Sequence, residues 1–212
     1  MSAQGEPSIE VERKYDVADG VAIPDWGSLP GVARVDSPER RELDARYLDT
    51  ADGALGRALT ALRRRTGGPD EGWHIKRVTP EGKHETQWPL DEGAHPSADE
   101  VQVPDAVVAA LEATARPPFG VIARIRNLRT AYALRDVDGG LVAEFVDDRV
   151  TALDAQRGVE TTWREWELEL GPAAPPDLDG RAALFAAADR LVRDAGGEVS
   201  ASGSKLGRAL GV

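Results

Sequence analysis

The chain has 212 residues, 37 of them acidic and 26 basic, for a formal net charge of −11, and it has no cysteine. That length can bury one sizeable core, and the missing cysteines exclude a disulfide scaffold, cysteine-ligated zinc and thiol catalysis. The acidic balance argues against duplex DNA or an anionic membrane as partner and, taken alone, against polyphosphate substrates.

In chain order, Met1–Pro7 lacks the basic and apolar layout of a secretory leader, and Ser8–Asp16 alternates carboxylates with aliphatics as a half-buried strand does. Ser37-Pro38 and Asp52–Ala58 are read as short helical turns, with a strand over Glu42–Asp49 between them. Strands are predicted over Leu59–Thr66, Gly72–Val78 and His84–Leu90, separated by the turn-rich Gly67-Gly68-Pro69-Asp70 and Thr79-Pro80-Glu81-Gly82. After a connector over Asp91–Val103, a helix is expected over Asp105–Ala115. Val121–Leu134, Gly140–Thr151 and Thr162–Leu170 bring the strands to about eight. Beyond Pro172–Pro176, a helix is predicted over Asp179–Ala195, with Asp179 as N-cap and Gly196-Gly197 as stop. The expected fold is α+β and mainly β: an eight-stranded antiparallel β-barrel with flanking helices, in a single domain over residues 1–212 with its core at about 8–208. No apolar run reaches about 18 residues, so no membrane span is expected and a cytoplasmic location is.

The alternating positions carry unusual side chains. Glu10, Glu12 and Lys14 share one face of the first strand, and Glu165, Glu167 and Glu169 share one face of the last. Arg63 with Arg65, His74 with Lys76, Lys83 with Glu85, Arg124 with Arg126, and Glu144 with Asp148 also share faces. Like charges at i and i+2 repel, so a triple-Glu stripe costs stability unless cations lie nearby. Acids sit on the first and last strands and bases on the middle ones, as a lumen that grips a polyanion and a divalent ion requires. Oxygen donors without His or Cys ligands suit Mg2+ or Mn2+, Arg and Lys suit phosphate, and phosphoryl transfer needs mainly positioning and charge neutralisation. No P-loop, nucleophile-elbow or H-E-x-x-H motif is present, and the histidines His74, His84 and His95 lack zinc-helix spacing.

These residues resemble the CYTH superfamily, the triphosphate tunnel metalloenzymes. Glu10-Val-Glu12-Arg-Lys14 is similar to its E-x-E-x-K signature, Tyr47-Leu-Asp49-Thr50 to its Y-x-D-T strand, and Leu62-Arg63-Arg-Arg65 to its L-R-x-R strand. Trp73-His-Ile-Lys76, Glu85, Arg124-Ile-Arg126 with Arg129, Glu144 with Asp148, the triple-Glu strand and Ser204-Lys205 continue the likeness. The resemblance implies a barrel tunnel that binds a triphosphate with Mg2+ or Mn2+. By it, Glu10, Glu12, Glu165, Glu167 and Glu169 are metal candidates, and Glu10, Glu12, Lys14 and Glu167 catalytic ones. Lys14, Arg63, Arg65, Lys76, Arg124, Arg126 and Lys205 are phosphate clamps, with Glu85, Glu144, Asp148 and Arg129 in support. Arg126 and Arg129 differ in parity, so both point inward only with a bulge between them. Asp148, four residues from Glu144, is expected inward in preference to Asp147, while Arg13, Arg64 and Arg77 are expected outward. Tyr47 and Asp49 are read as structural, His74 either as a lumen residue beside Lys76 or as a plain hydrogen-bonding residue, and the five tryptophans as barrel-wall packing.

The leading expectation is a divalent-metal-dependent triphosphatase acting on a small triphosphate or polyphosphate. A class IV adenylyl cyclase and a non-catalytic polyphosphate-binding module are the alternatives. Duplex nucleic acid and membrane are not expected partners, and a homodimer is left open.

Overall fold

The computed structural model describes residues 5–79, 82–90 and 101–212; the predicted turn at 79–82, the connector 91–103 and His95 fall wholly or partly outside them. The strands are β1 (Glu6–Glu10), β2 (Glu12–Asp16), β3 (Arg34–Val35), β4 (Glu39–Asp49), β5 (Thr60–Thr66), β6 (Gly72–Thr79), β7 (Gly82–Trp88), β8 (Gly120–Arg135), β9 (Leu141–Asp154), β10 (Val159–Leu170) and β11 (Glu198–Val199). The helices are α1 (Ala54–Arg57), α2 (Asp105–Leu111), α3 (Leu178–Ala195) and α4 (Lys205–Leu210).

One antiparallel sheet runs in the order β1-β7-β6-β5-β4-β8-β9-β10-β2-β11, with β3 on β8. The expected eight-stranded barrel is corrected in two respects: among the described residues the sheet has eleven strands, and its hydrogen-bonded ladder is not closed. The open ladder and one of the extra strands follow from the first segment, and β3 and β11 are short two-residue additions. That first segment breaks at Val11, so that Glu6–Glu10 pairs with β7 and Glu12–Asp16 pairs with β10. The two ends of the ladder are therefore joined through one residue of chain, and the sheet wraps into a tunnel without a continuous ring of ladder bonds. The Val11 carbonyl is not lost to pairing, since it accepts from the Leu170 amide.

The outer faces of the strands are apolar where helices cover them. Tyr15, Phe145, Trp166 and Leu168 are fully buried against Leu184, Phe185, Ala188 and Val192 of α3, with Trp26 and Leu29 filling the edge. Burying a large side chain stabilises by roughly 1.5–3 kcal/mol, and truncating Phe145 to Ala would cost about 3–5 kcal/mol with its cavity. A second layer packs Leu48, Leu62, Trp73, Ile75 and Trp88 on Leu55 of α1 and Val107 and Leu111 of α2. A third lies inside: Leu206, Ala209 and Leu210 of α4 pack on Ala45, Tyr47, Ala123, Ile125, Val150 and Ala152. These wall residues share the face of Arg63 and Arg65, their register partners, so α4 fills one end of the tunnel.

Local chemistry sets the ends. The N-cap of α3 is Asp177, not the expected Asp179; its carboxylate accepts from the Gly180 amide, and Gly196 stops the helix at φ 99°. The helix expected to Ala115 ends as α2 at Leu111. The helical turn expected at Asp52–Ala58 forms as α1, where Asp49 accepts from the amides of Leu55 and Gly56. No helix opens at Ser37-Pro38; the chain enters β4 directly. Ser204 caps α4 by accepting from Gly207, which fixes Lys205 at the first turn.

Candidate functional site

Residues directly opposite each other in an antiparallel ladder share a face, so the registers identify the inner wall. From β2 round to β8, Lys14 faces Glu167, Glu12 faces Glu169, Glu169 faces Glu144, Glu165 faces Asp148, and Asp148 faces Arg129. Across the rest of the sheet, Arg129 faces Arg41, Tyr47 faces Arg63, Arg63 faces His74, Lys76 faces Glu85, and Lys83 faces Glu10. The charges expected in the lumen are largely gathered on one surface.

Deep in the tunnel, acids and bases interlock. Lys205 Nζ lies 2.9 Å from Asp148, 2.5 Å from Glu165 and 2.8 Å from Glu167. Arg129 donates to Asp148 at 2.8 and 2.7 Å and to Glu167 at 2.9 Å, and Lys14 is paired with Glu167 and, at 2.9 Å, with Glu12. Burial opposes the charge on Glu167, yet Lys14, Lys205 and Arg129 hold its pKa well below the usual carboxylate range. Burial likewise disfavours the Lys205 ammonium, and Asp148, Glu167 and Glu165 outweigh it, keeping the pKa well above normal. Ligand atoms of Asp148, Glu165 and Glu167 lie within 4.8 Å of one another, but the protein's own ammonium already sits among them.

The facing wall is cationic. Arg63 approaches Glu85 at 3.3 Å, Lys76 binds both oxygens of Glu10 at 2.6 and 2.8 Å, and Arg65 is held by Asp70. Burial first, then repulsion from Arg63 and Arg129, lowers the Arg65 pKa. Burial opposes a Tyr47 phenolate, but Arg63, Lys76 and Lys205 pull the hydroxyl below its ordinary value. Positive charge is thus in excess around Tyr47, Arg63, Arg65 and Arg129, which is a place for an anion.

Toward the other end lies a row of acids. Glu12, Glu169 and Glu144 stand in direct register on β2, β10 and β9. Lys83 at 2.8 Å and Lys14 hold Glu12, and Arg41 holds Glu144 at 3.0 and 3.1 Å. Glu169, between them, makes no ion pair or hydrogen bond among the described residues. Burial, then Glu10 and Glu12, push its pKa up to about 7, and burial also raises that of Glu10. Like charges directly opposite on a sheet are destabilising, so a cation placed beside Glu169 would relieve the repulsion. Carboxylate oxygens are the donor type that a hard divalent ion takes.

Two expected clamps are elsewhere. Arg124 binds Asp44 at 2.5–3.2 Å and Arg126 binds Glu160 at 3.2 Å, both on the outer face and both substantially exposed. No register shift separates Arg126 from Arg129, so strict alternation turns Arg129 inward and the other two outward. Asp148 is inward, whereas Asp147 binds Arg164 at 2.8 and 3.0 Å outside. Arg13 and Arg77 are also outward, against Asp189 and the Ala110 carbonyl. Asp49 is structural, accepting from the Leu55 and Gly56 amides of α1, but Tyr47 lies in the cationic pocket. Sequence reasoning missed Arg41 and left Lys83 outside the candidate set; Arg41 was findable by its parity with Tyr47. A cavity of about 1390 Å3 lies apart from this cluster, along Arg126, Arg149, Glu160 and Trp163.

A curved antiparallel sheet whose inner wall sets a cationic pocket beside an acidic row is the tunnel fold of a recognised family. The chain belongs to the CYTH domain family, which matches residues 8–192. It is 37% identical over 217 aligned positions to the uncharacterized protein Rv2226 of Mycobacterium tuberculosis H37Rv, and likewise to its counterpart in strain CDC 1551. The alignment covers 96% of this chain but 40% of those proteins, so the chain spans about two fifths of the length of the curated relatives it matches. An adenylate cyclase candidate from Bacillus halodurans superposes with a TM-score of 0.59 at 18% identity, covering 95% of this chain and 97% of that one. An adenylyl cyclase candidate from Hippeastrum, described as having a dominant triphosphatase activity, gives 0.54 at 18% identity and covers 96% of each chain. At that identity the likeness defines the fold alone. No helix among the described residues is long and apolar enough to cross a membrane.

Proposed function

We propose that this chain is a divalent-metal-dependent triphosphatase acting on inorganic triphosphate or a related small triphosphate inside the tunnel. The observation that carries the reading is Glu169, unpartnered between Glu12 and Glu144, at one end of a surface whose other end holds an excess of arginine and lysine. Glu10, Glu12 and Glu169 would hold Mg2+ or Mn2+, with Glu144 alongside. A bound divalent ion supplies charge neutralisation at phosphoryl oxygens and favours an ionised water.

The chain's own groups do the positioning. Arg63, Arg65 and Arg129 offer forked donors to phosphate oxygens, Lys76 and Lys14 add point charges, and the Tyr47 hydroxyl donates from within the pocket. Asp148, Glu165 and Glu167 keep Lys205, Lys14 and Arg129 charged and oriented before substrate arrives, which is electrostatic preorganisation. Glu165 and Glu167 are given this pairing role, and the ion is assigned to the side of the tunnel that holds the unpartnered Glu169. Phosphoryl transfer by positioning and charge neutralisation asks for little else.

The description of the Hippeastrum protein supports hydrolysis, and that of the Bacillus halodurans protein supports a cyclase acting on ATP. Incubation with inorganic triphosphate, thiamine triphosphate and ATP under Mg2+ or Mn2+, with product analysis, separates them. Phosphate and diphosphate from triphosphate support the proposal. Cyclic AMP from ATP overturns it in favour of the cyclase, and tight triphosphate binding without products overturns it in favour of a binding module.

A further inference from the structure

His74 is fully buried in the tunnel wall, and its two ring nitrogens face two groups that only accept. Nδ1 lies 2.7 Å from Glu85 Oε1, and Nε2 lies 3.0 Å from the Asp70 carbonyl in the β5–β6 turn. Burial above all lowers the imidazole pKa to about 4, so the ring is neutral at pH 7 and has one N–H for two acceptors. Burial opposes an ionised Glu85, but His74, Lys76 and Arg63 hold its pKa far below the ordinary value. An ionised carboxylate takes the proton in preference, since such a bond is roughly twice as strong as one to a neutral acceptor. The Asp70 carbonyl already receives Arg65 Nη2 at 3.1 Å.

We infer that His74 is a positioning residue: its Nδ1–H fixes the Glu85 carboxylate, and Glu85 in turn sets Arg63 and Lys76 for the triphosphate. The same Glu85 Oε1 meets His74, Arg63 at 3.3 Å and Lys76 at 3.5 Å, so one oxygen organises both cations. Without the N–H, the Glu85 carboxylate is free to rotate toward Lys76 or Arg63 and draw either cation away from the lumen. His74 itself has no surface open to a ligand, which separates this role from catalysis. The inference rests on the triphosphate reading of the tunnel.

The test uses two partial replacements. The amide of His74→Asn reaches the place of Nδ1 and can still donate to Glu85; that of His74→Gln reaches the place of Nε2 and cannot. With inorganic triphosphate and Mg2+, His74→Asn is expected to keep KM within about threefold of the parent, while His74→Gln raises KM roughly tenfold or more with kcat within about threefold. Equal KM values in the two variants, or a fall in kcat alone, would overturn the assignment. Melting temperatures of both variants guard against simple unfolding. Nitrogen-15 NMR of the unliganded protein reads the link without substrate: a proton on Nδ1 is expected, and a proton on Nε2 alone refutes it. If the parent neither binds nor cleaves triphosphate, the functional reading fails, while the spectrum still decides the His74–Glu85 bond.

Discussion

Glu169→Gln is the substitution whose consequences follow most directly from the geometry. In the metal-free protein Glu169 stands opposite Glu12 on one side and Glu144 on the other, without a counter-ion among the described residues. Its pKa rises from 4.5 to about 7, for reasons of burial and of repulsion by Glu10 and Glu12. Between those two values the folded chain holds a proton that the unfolded chain has released, so stability falls as pH rises through that window, and the full penalty is present above pH 7. At about 1.36 kcal/mol per pKa unit the penalty would be about 3 kcal/mol, but Glu169, though crowded by the tunnel wall, keeps much of its own surface in water, and screening leaves about 1 kcal/mol. Glu169→Gln should therefore stabilise the metal-free protein by about 1 kcal/mol at pH 8 and have little effect at pH 4. Added Mg2+ should stabilise the parent, by about 2.7 kcal/mol at a hundredfold excess over its Kd, and should stabilise the variant far less. Urea denaturation in EDTA and in Mg2+ at both pH values measures all of this. A metal-free variant less stable than the parent at pH 8, or an undiminished Mg2+ effect, refutes the cation site.

Arg129→Ala should reduce kcat/KM for triphosphate by about a hundredfold, whereas Arg124→Ala and Arg126→Ala should stay within about threefold, because their outer-face ion pairs are worth only ~0–1 kcal/mol. Steady-state kinetics on the three variants checks which face of β8 lines the lumen. Lys205→Ala leaves Asp148, Glu165 and Glu167 short of a buried cation and should cost about 3–5 kcal/mol in urea unfolding. A loss below about 1 kcal/mol would show that the interlocked acids do not depend on it.

Alternation made most of the sheet legible. Extended chain forms in all eight predicted segments, the first of them as two strands, because apolar outer faces under α1, α2 and α3 force period two on residues such as Trp73, Ile75, Trp166 and Leu168. Parity, however, says which side chains share a face and not which face is inside. On β8 the rule of charge inward and apolar outward reverses at one end, since α4 enters the tunnel and buries Ala123 and Ile125 there. That put Arg124 and Arg126 outside and left Arg129 as the inward base. The break at Val11 was equally hidden, because alternation continues unbroken through it; only the demand that one segment reach both β7 and β10 produces it. α4 has six residues, too few for a periodic signal. The pairing of Lys205 with Asp148, Glu165 and Glu167 depends on that helix and was out of reach of strand parity.

In the function we propose, the acidic row and the cationic pocket act together on a triphosphate. Phosphate release from inorganic triphosphate in Mg2+, measured for the parent chain and for Glu12→Ala, tests it most directly. Turnover by the parent should require the divalent ion, and Glu12→Ala should lose about a hundredfold or more with folding intact. Full activity in Glu12→Ala, or parent turnover unaffected by EDTA, would contradict it.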